Sequence, residues 1–295
     1  MKKTEEIRMR DPFVLAHDGC YYLYGTIGEP KARELYVHKS CDLENWEDPT
    51  VIYTLSDDSW AEGQLWAPEV HEYQEKFYLF LSIRGKDGLR GTEISVADTP
   101  EGPFIPLTGK PATPDGKSCI DGTLYVEDGR PYMIYSHDWP DCYHEDEGAY
   151  VGEIWAVELS ADLTSHVGEP FMLFTSKEAP LSGNNPTYCK YGDKDIVRYG
   201  SDGPFVTKLS DGRPFLLWSP IPGGNYVVLG AVADSIRGEW THCEAEIFND
   251  NGGHPMVFTD LGGEKKMVIH WPEVYWHENP KFLSLCEKDG KLCLK

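Results

Sequence analysis

Arg10-Asp11-Pro12-Phe13 opens a phrase that the chain repeats. After Asp11 come an apolar run (Phe13-Val14-Leu15), a turn at His17-Asp18-Gly19 and an aromatic stretch from Tyr21 to Tyr24. Two apolar runs around a polar, glycine-containing turn predict a β-hairpin. The phrase returns at Trp66-Ala67-Pro68-Glu69, with a hairpin running to Phe80, and at Asp121-Gly122-Thr123, with a turn at Asp128-Gly129. It returns again at Asp202-Gly203-Pro204, turning at Asp211-Gly212, and at His254-Pro255-Met256, turning at Gly262-Gly263. Each hairpin precedes a third strand, such as Leu35 to His38 or Ile154 to Val157, and a weaker fourth, such as Trp46 to Asp48 or Leu292 to Leu294. Five repeats of about four strands predict an all-β chain: a five-bladed β-propeller with four-stranded antiparallel blades, one propeller over residues 1–295. A β-sandwich also uses short strands, but gives no reason for every repeat to open alike. No apolar run of period 3.6 reaches helical length.

In a propeller the first strand of each blade lines the axis, so Asp11, Trp66, Asp121, Asp202 and His254 are expected to converge on one mouth. The third repeat, from Asp121 to Asp202, is the longest, and extra loop is expected there. Part of it is Ser136 to Glu147, and the rest is the polar run from Ser176 to Ser201. His144-Glu145-Asp146-Glu147 reads as a solvated charged loop, with a substrate-facing rim or a chance cation site as alternatives. His137 and Trp139, nearest to a strand end, are the better candidates for a rim that contacts substrate.

A formal net charge of -22 excludes the cationic surface that nucleic acid or an anionic membrane requires, so neither is an expected partner. The first residues, MKKTEEIRMRDP, contain no apolar segment. A soluble, cytoplasmic chain is therefore expected, or a secreted or periplasmic one if a leader has been removed. The eight cysteines show no C-x-x-C and no paired histidine spacing, so reduced structural thiols are expected rather than a zinc site or redox dithiol. No nucleophile setting and no phosphate-binding glycine loop is present, and no organic cofactor is expected.

Carboxylates from three blades beside a tryptophan suit glycoside hydrolysis. One carboxyl protonates the leaving oxygen while another activates water on the opposite face of the sugar. A third close carboxylate raises the pKa of the acid by like-charge repulsion. Any one of these aspartates alone is ordinary turn chemistry, and their shared place in the repeat is what argues for function.

Arg10-Asp11-Pro12, Trp66-Ala67-Pro68-Glu69, Ile120-Asp121, Asp202-Gly203-Pro204 and Gly253-His254, taken in register, resemble glycoside hydrolase family 43 from about Arg10 to Leu294. The resemblance implies a five-bladed propeller that inverts the anomeric centre, as in α-L-arabinofuranosidases, β-D-xylosidases, endo-arabinanases and some galactan-active members. It implies Asp11 as general base, Asp121 as the carboxylate that tunes and orients the acid, the fourth-blade carboxylate Asp202 as general acid, and Trp66 as an aromatic wall. It also implies a metal at the axis, usually calcium and structural, near His254. The family's acid is usually glutamate in Glu-Gly-Pro, and Asp202 is shorter by one methylene. Glu101-Gly102-Pro103 contains that tripeptide, but late in the second repeat, where a structural role is expected.

Glu69 either enters the mouth or packs behind it. Arg10 pairs with a carboxylate or contacts substrate, and His270 ends a strand near the mouth. Trp46, Trp218 and Trp240 are expected in the core. The resulting expectation is an inverting, exo-acting α-L-arabinofuranosidase or β-D-xylosidase working on plant polysaccharide side chains or oligosaccharides. Exo action rests on the third-repeat loop closing one side of the mouth. The alternatives are a catalytically impaired carbohydrate-binding propeller, or a galactan-active or endo-arabinanase member of the family.

Overall fold

The computed structural model describes residues 1–27, 32–180 and 185–295. Each repeat folds into its own antiparallel sheet, in strand order along the chain. The first blade holds Arg10–His17, Cys20–Thr26 and Glu34–Ser40, edged by Asn45–Trp46 and Thr50–Thr54. The second holds Ala61–Tyr73, Lys76–Gly85, Arg90–Ala97 and Ile105–Pro106, and the third Cys119–Glu127, Arg130–His137, Glu153–Glu158 and Phe171–Thr175. The fourth holds Ser201–Lys208, Pro214–Pro220, Leu229–Val232 and Thr241–His242, and the fifth Gly253–Thr259, Lys265–Trp271, Asn279–Lys288 and Lys291–Leu294. The structure is the five-bladed propeller that the repeats predict.

Blades stack face to face, so their second strands are buried on both sides and cannot alternate apolar with polar residues. Phe215 to Trp218 and Met267 to Ile269 are accordingly unbroken apolar runs with almost no exposed surface. Trp46, Trp218 and Trp240 are buried as expected, and truncating one such side chain to Ala costs about 3–5 kcal/mol. Among the described residues the first and last sheets share no strand. The ring is closed instead by side-chain packing, with Trp46 stacked on Phe282 and Tyr21 edge-on to Phe258, and by polar contacts. Met9 N–H donates to the Glu278 carbonyl, and the Arg10 guanidinium pairs with Glu273 and Glu278.

The third repeat departs from expectation. Where loop was expected, Tyr143–His144, Ala149–Val151, Lys194–Tyr199 and Thr187–Tyr191 form a sixth sheet, and Ala149–Val151 runs parallel to Lys194–Tyr199. Thr187, Tyr188 and Tyr191 favour a strand, but the surrounding charge obscures it. Residues 181–184 of the polar run lie outside the described residues.

Candidate active site

All five first strands carry the same irregularity. Pairing slips by one residue between Arg10/Thr26 and Phe13/Tyr24, and likewise after Trp66/Ser82, Ile120/Ser136, Asp202/Ser219 and Gly253/His270. Each slip is a β-bulge, which kinks the strand and re-aims a side chain. In every bulge one residue adopts left-handed backbone: Asp11 (φ 49°), Ala67 (43°), Asp121 (57°), Gly203 (52°) and His254 (56°). A side chain costs on the order of 1 kcal/mol there, and four of the five positions bear one. Trp66 and Asp202 therefore stand one residue earlier in the phrase than Asp11, Asp121 and His254, so the five openings are not equivalent positions.

The N–H of each left-handed residue is held from the neighbouring blade. Thr26 Oγ1 accepts from Ala67 N–H (2.8 Å), Ser82 Oγ from Asp121 N–H (2.7 Å), Ser219 Oγ from His254 N–H (2.9 Å) and His270 Nδ1 from Asp11 N–H (3.1 Å). Gly203 N–H instead donates to Asp121 Oδ2 at 3.0 Å. These acceptors lie late in the second strands. Of these side chains only His270 is among the expected site residues; Thr26, Ser82 and Ser219 are not, although a Ser, Thr or His late in the second strand recurs in every repeat and is a signal for them.

The bulges surround a cavity of about 430 Å³. Of the residues expected at the mouth, Arg10, Asp11, Trp66, Asp121, Asp202 and His254 line it. Glu69 does not: it is buried one step deeper in the channel, where its Oε2 meets His71 Nε2 at 2.8 Å. His137 and Trp139 do not line it either. His137 bonds Glu153 and Asp141, and Trp139 packs edge-on against Tyr150 and Tyr191 of the sixth sheet. His270 is fully buried behind Asp11. Glu101 pairs with Lys39 near the edge of the second blade. Thr26, Tyr226, Glu273, Tyr275 and Trp276 line the cavity without having been singled out. The last three lie between two strands of the fifth blade, in a connection without repeat signal. No described residue of the sixth sheet lines the cavity, so the wall expected from the third repeat is supplied by the fifth blade.

The carboxylates have opposed acidities. Burial works against the charge on Asp11, but the neighbouring His254, His270 and Arg10 outweigh it and hold Asp11 well below the ordinary carboxylate range. Thr26 Oγ1 also donates to Asp11 Oδ2 at 2.6 Å. His270 Nε2 faces Glu273 at 2.6 Å, so a proton on Nε2 leaves Nδ1 free to accept from Asp11 N–H. Burial and then Asp121 push Asp202 up to about 7, with Tyr226 Oη 3.5 Å from its carboxylate. Asp121 is also raised, by burial and by Asp11. The Gly203 N–H works against that rise, and Asp121 and Asp202 titrate as a coupled pair that holds one proton near neutrality. Trp66 is backed by the Arg90 guanidinium, 3.5 Å from its ring centre.

His254 Nδ1 lies 3.3 Å from Asp11 Oδ1. One imidazole and one carboxylate fall well short of the six to eight oxygens that calcium takes. At His254 the protein's own ligands would have to be joined by water to hold calcium.

A buried charged carboxylate facing one that keeps its proton, in a sugar-sized cavity on a propeller axis, defines a propeller of the carbohydrate-cleaving class. The sequence profile described as "Glycosyl hydrolases family 43" matches residues 5–283, and the chain belongs to that family. It is similar to an endo-arabinase of Bacteroides thetaiotaomicron in its crystal structure, with a TM-score of 0.87, 33% identity and 98% of each chain covered. A thermostable family-43 glycoside hydrolase gives a TM-score of 0.84 at 26% identity, over 97% of this chain and 92% of that one. A xylosidase/arabinosidase 43A of Humicola insolens is 33% identical over 110 residues, 36% of this chain and 33% of that protein. The matches to this protein and to a xylosidase/arabinosidase of Bacteroides ovatus span only 33% and 44% of their lengths.

Proposed function

We propose that the protein hydrolyses arabinofuranosyl or xylosyl linkages of plant polysaccharides or their oligosaccharides with inversion at the anomeric carbon. The observation that carries this reading is the contrast between Asp11, held charged, and the Asp121–Asp202 pair, raised towards neutrality so that it keeps a proton, on one cavity. Two titratable groups driven apart by their surroundings mark a base and an acid. Asp11 takes a proton from water as its oxygen bonds to the anomeric carbon. Asp202 gives its proton to the departing glycosidic oxygen as the C–O bond breaks. Asp121 keeps the acid's pKa high, and Arg10, Thr26 and His270 hold the base. No covalent intermediate forms, and the two carboxyls act across the roughly 6.5–9.5 Å that direct water attack requires. The pentose reading is supported by the names borne by similar proteins, xylosidase/arabinosidase and endo-arabinase among them.

The test is hydrolysis of aryl α-L-arabinofuranoside, β-D-xyloside and β-D-galactoside, and of arabinan and arabinoxylan, by wild type and Asp11→Asn, with the product anomer followed by NMR. Inverted pentose from wild type and none from Asp11→Asn is expected. Monomer as the sole product of arabinan marks exo action, and a ladder of oligosaccharides marks endo action. A retained anomer refutes the mechanism. Binding of arabino-oligosaccharides without turnover at any pH refutes the enzyme reading in favour of a binding propeller.

A further inference from the structure

The second and third strands of the third blade end on a cross-strand pair, His137 and Glu153. Their side chains meet, with Nδ1 of His137 2.8 Å from Oε2 of Glu153. The chain between them folds back so that Cys142 Sγ and ligand atoms of His137 and Glu153 all lie within 4.8 Å of one another. His144 adds a second imidazole, its Nε2 3.1 Å from Oε1 of Glu153. His137 and Cys142 are buried, and none of the four lines the axial cavity.

We propose that His137, Cys142 and Glu153 hold a structural zinc, and that His144, which faces the other oxygen of Glu153, turns in as its fourth ligand and so clips the sixth sheet to the third blade. A thiolate, two imidazoles and a carboxylate are ligands that Zn²⁺ accepts in tetrahedral geometry, and four protein ligands close the site as structural zinc requires. The outer contacts that such a site needs are already present. Asp141 Oδ2 stands 3.1 Å from His137 Nε2, so an N–H there donates to the carboxylate and Nδ1 is left for the metal. Trp155 Nε1 donates to Glu153 Oε2 at 2.8 Å and orients that carboxylate. The thiol's own contacts are weak, 3.5 Å to the carbonyls of His137 and Asp138. On binding, Cys142 gives its proton to solvent and its sulfur lone pair to the metal. Two ligands come from rigid strand ends and two from the returning segment, so one ion closes the loop entropically as well as electrostatically. Motif spacing misses the site because a strand pair, and not a C-x-x-C turn, brings the ligands together.

The full chain is loaded with Zn²⁺, freed of excess metal by gel filtration and assayed for zinc, and separately titrated with Co²⁺. One zinc per chain is expected, along with tetrahedral Co²⁺ visible bands and a thiolate-to-cobalt charge-transfer band. Cys142→Ser should abolish the charge-transfer band, and Glu153→Gln should weaken affinity about 10–100-fold. Both variants keep side-chain shape, and circular dichroism checks that they fold. Zinc should also raise Tm by about 5 °C in the wild type and not in Cys142→Ser. Failure to retain zinc overturns the proposal. So does retention, or a charge-transfer band, that survives Cys142→Ser in folded protein, because the ligand would then be another cysteine. None of these outcomes depends on glycosidase activity.

Discussion

Replacing Asp121 by Asn removes one negative charge from beside Asp202, yet leaves an oxygen to accept the Gly203 N–H, now 3.0 Å from Asp121 Oδ2. Asp202 stands at about 7 against an ordinary 3.8, with burial the largest cause and Asp121 the next. Each pKa unit that the Asp121 charge adds to that rise corresponds to about 1.4 kcal/mol between the two protonation states of Asp202. A general acid works only while protonated, so activity falls as pH rises through its pKa. In Asp121→Asn the fall should begin lower by that contribution, leaving about tenfold less protonated acid at about pH 8 for each unit. The assay is kcat/KM against pH on an aryl arabinofuranoside with a poor leaving group. A second substrate with a strongly acidic leaving group needs less protonation and should lose less. The acid limb, set by Asp11, should stay below the ordinary carboxylate range. A basic limb that stays in place or moves upward in Asp121→Asn would refute the electrostatic role assigned to Asp121.

Asp202→Asn should abolish hydrolysis but stabilise the fold near neutrality. The folded pKa of about 7 lies above the ordinary 3.8, so the buried charge costs nothing at low pH and its full penalty as pH rises through 7; a gain on the order of 2 kcal/mol at about pH 8, fading towards pH 4, is expected in thermal unfolding. Thr26→Val removes both the donor to Asp11 Oδ2 and the acceptor of the buried Ala67 N–H, so kcat should fall and stability drop by about 1–3 kcal/mol in urea titration. Arg10→Met leaves Glu278, buried with 1% exposure, without its cation; a loss of about 3–5 kcal/mol and an upward shift of the acid limb are expected. Gly203→Ala puts a Cβ 2.8 Å from the His254 ring, so it should displace that ring from Asp11 and lower kcat more than KM changes.

Hairpin turns and apolar runs fixed the blades in the sequence because blade stacking buries the second strands on both faces. Register within the mouth was harder to see. Asp11, Trp66, Asp121, Asp202 and His254 look alike as the polar or aromatic openings of repeats, and only the proline column at Pro12, Pro68, Pro204 and Pro255 reveals that two of them are offset. Polar residues far apart in sequence, such as Glu273 beside Arg10, carry no local signal, because ring closure and not chain proximity brings them together. The loop reading of the third repeat failed for another reason: the strands of the sixth sheet are short and charged, and one of its pairings is parallel, so neither length nor alternation marks it.

The offset of Asp202 has a steric cause. In the first and third blades the left-handed position carries the carboxylate, Asp11 or Asp121. In the fourth blade the same position lies against the His254 imidazole, where a Cβ would come within 2.8 Å of the ring, so only glycine fits. A carboxylate for the cavity must therefore come from the preceding residue, which the bulge also turns towards the axis. That displacement keeps the proposed acid away from Arg10 and His270, although His254 still works to lower its pKa. It leaves Asp202 buried and beside Asp121, which together raise its pKa. The same histidine thus excludes a side chain from one bulge and helps to hold the charge in another, so packing at the axis and the division of acid from base are one arrangement.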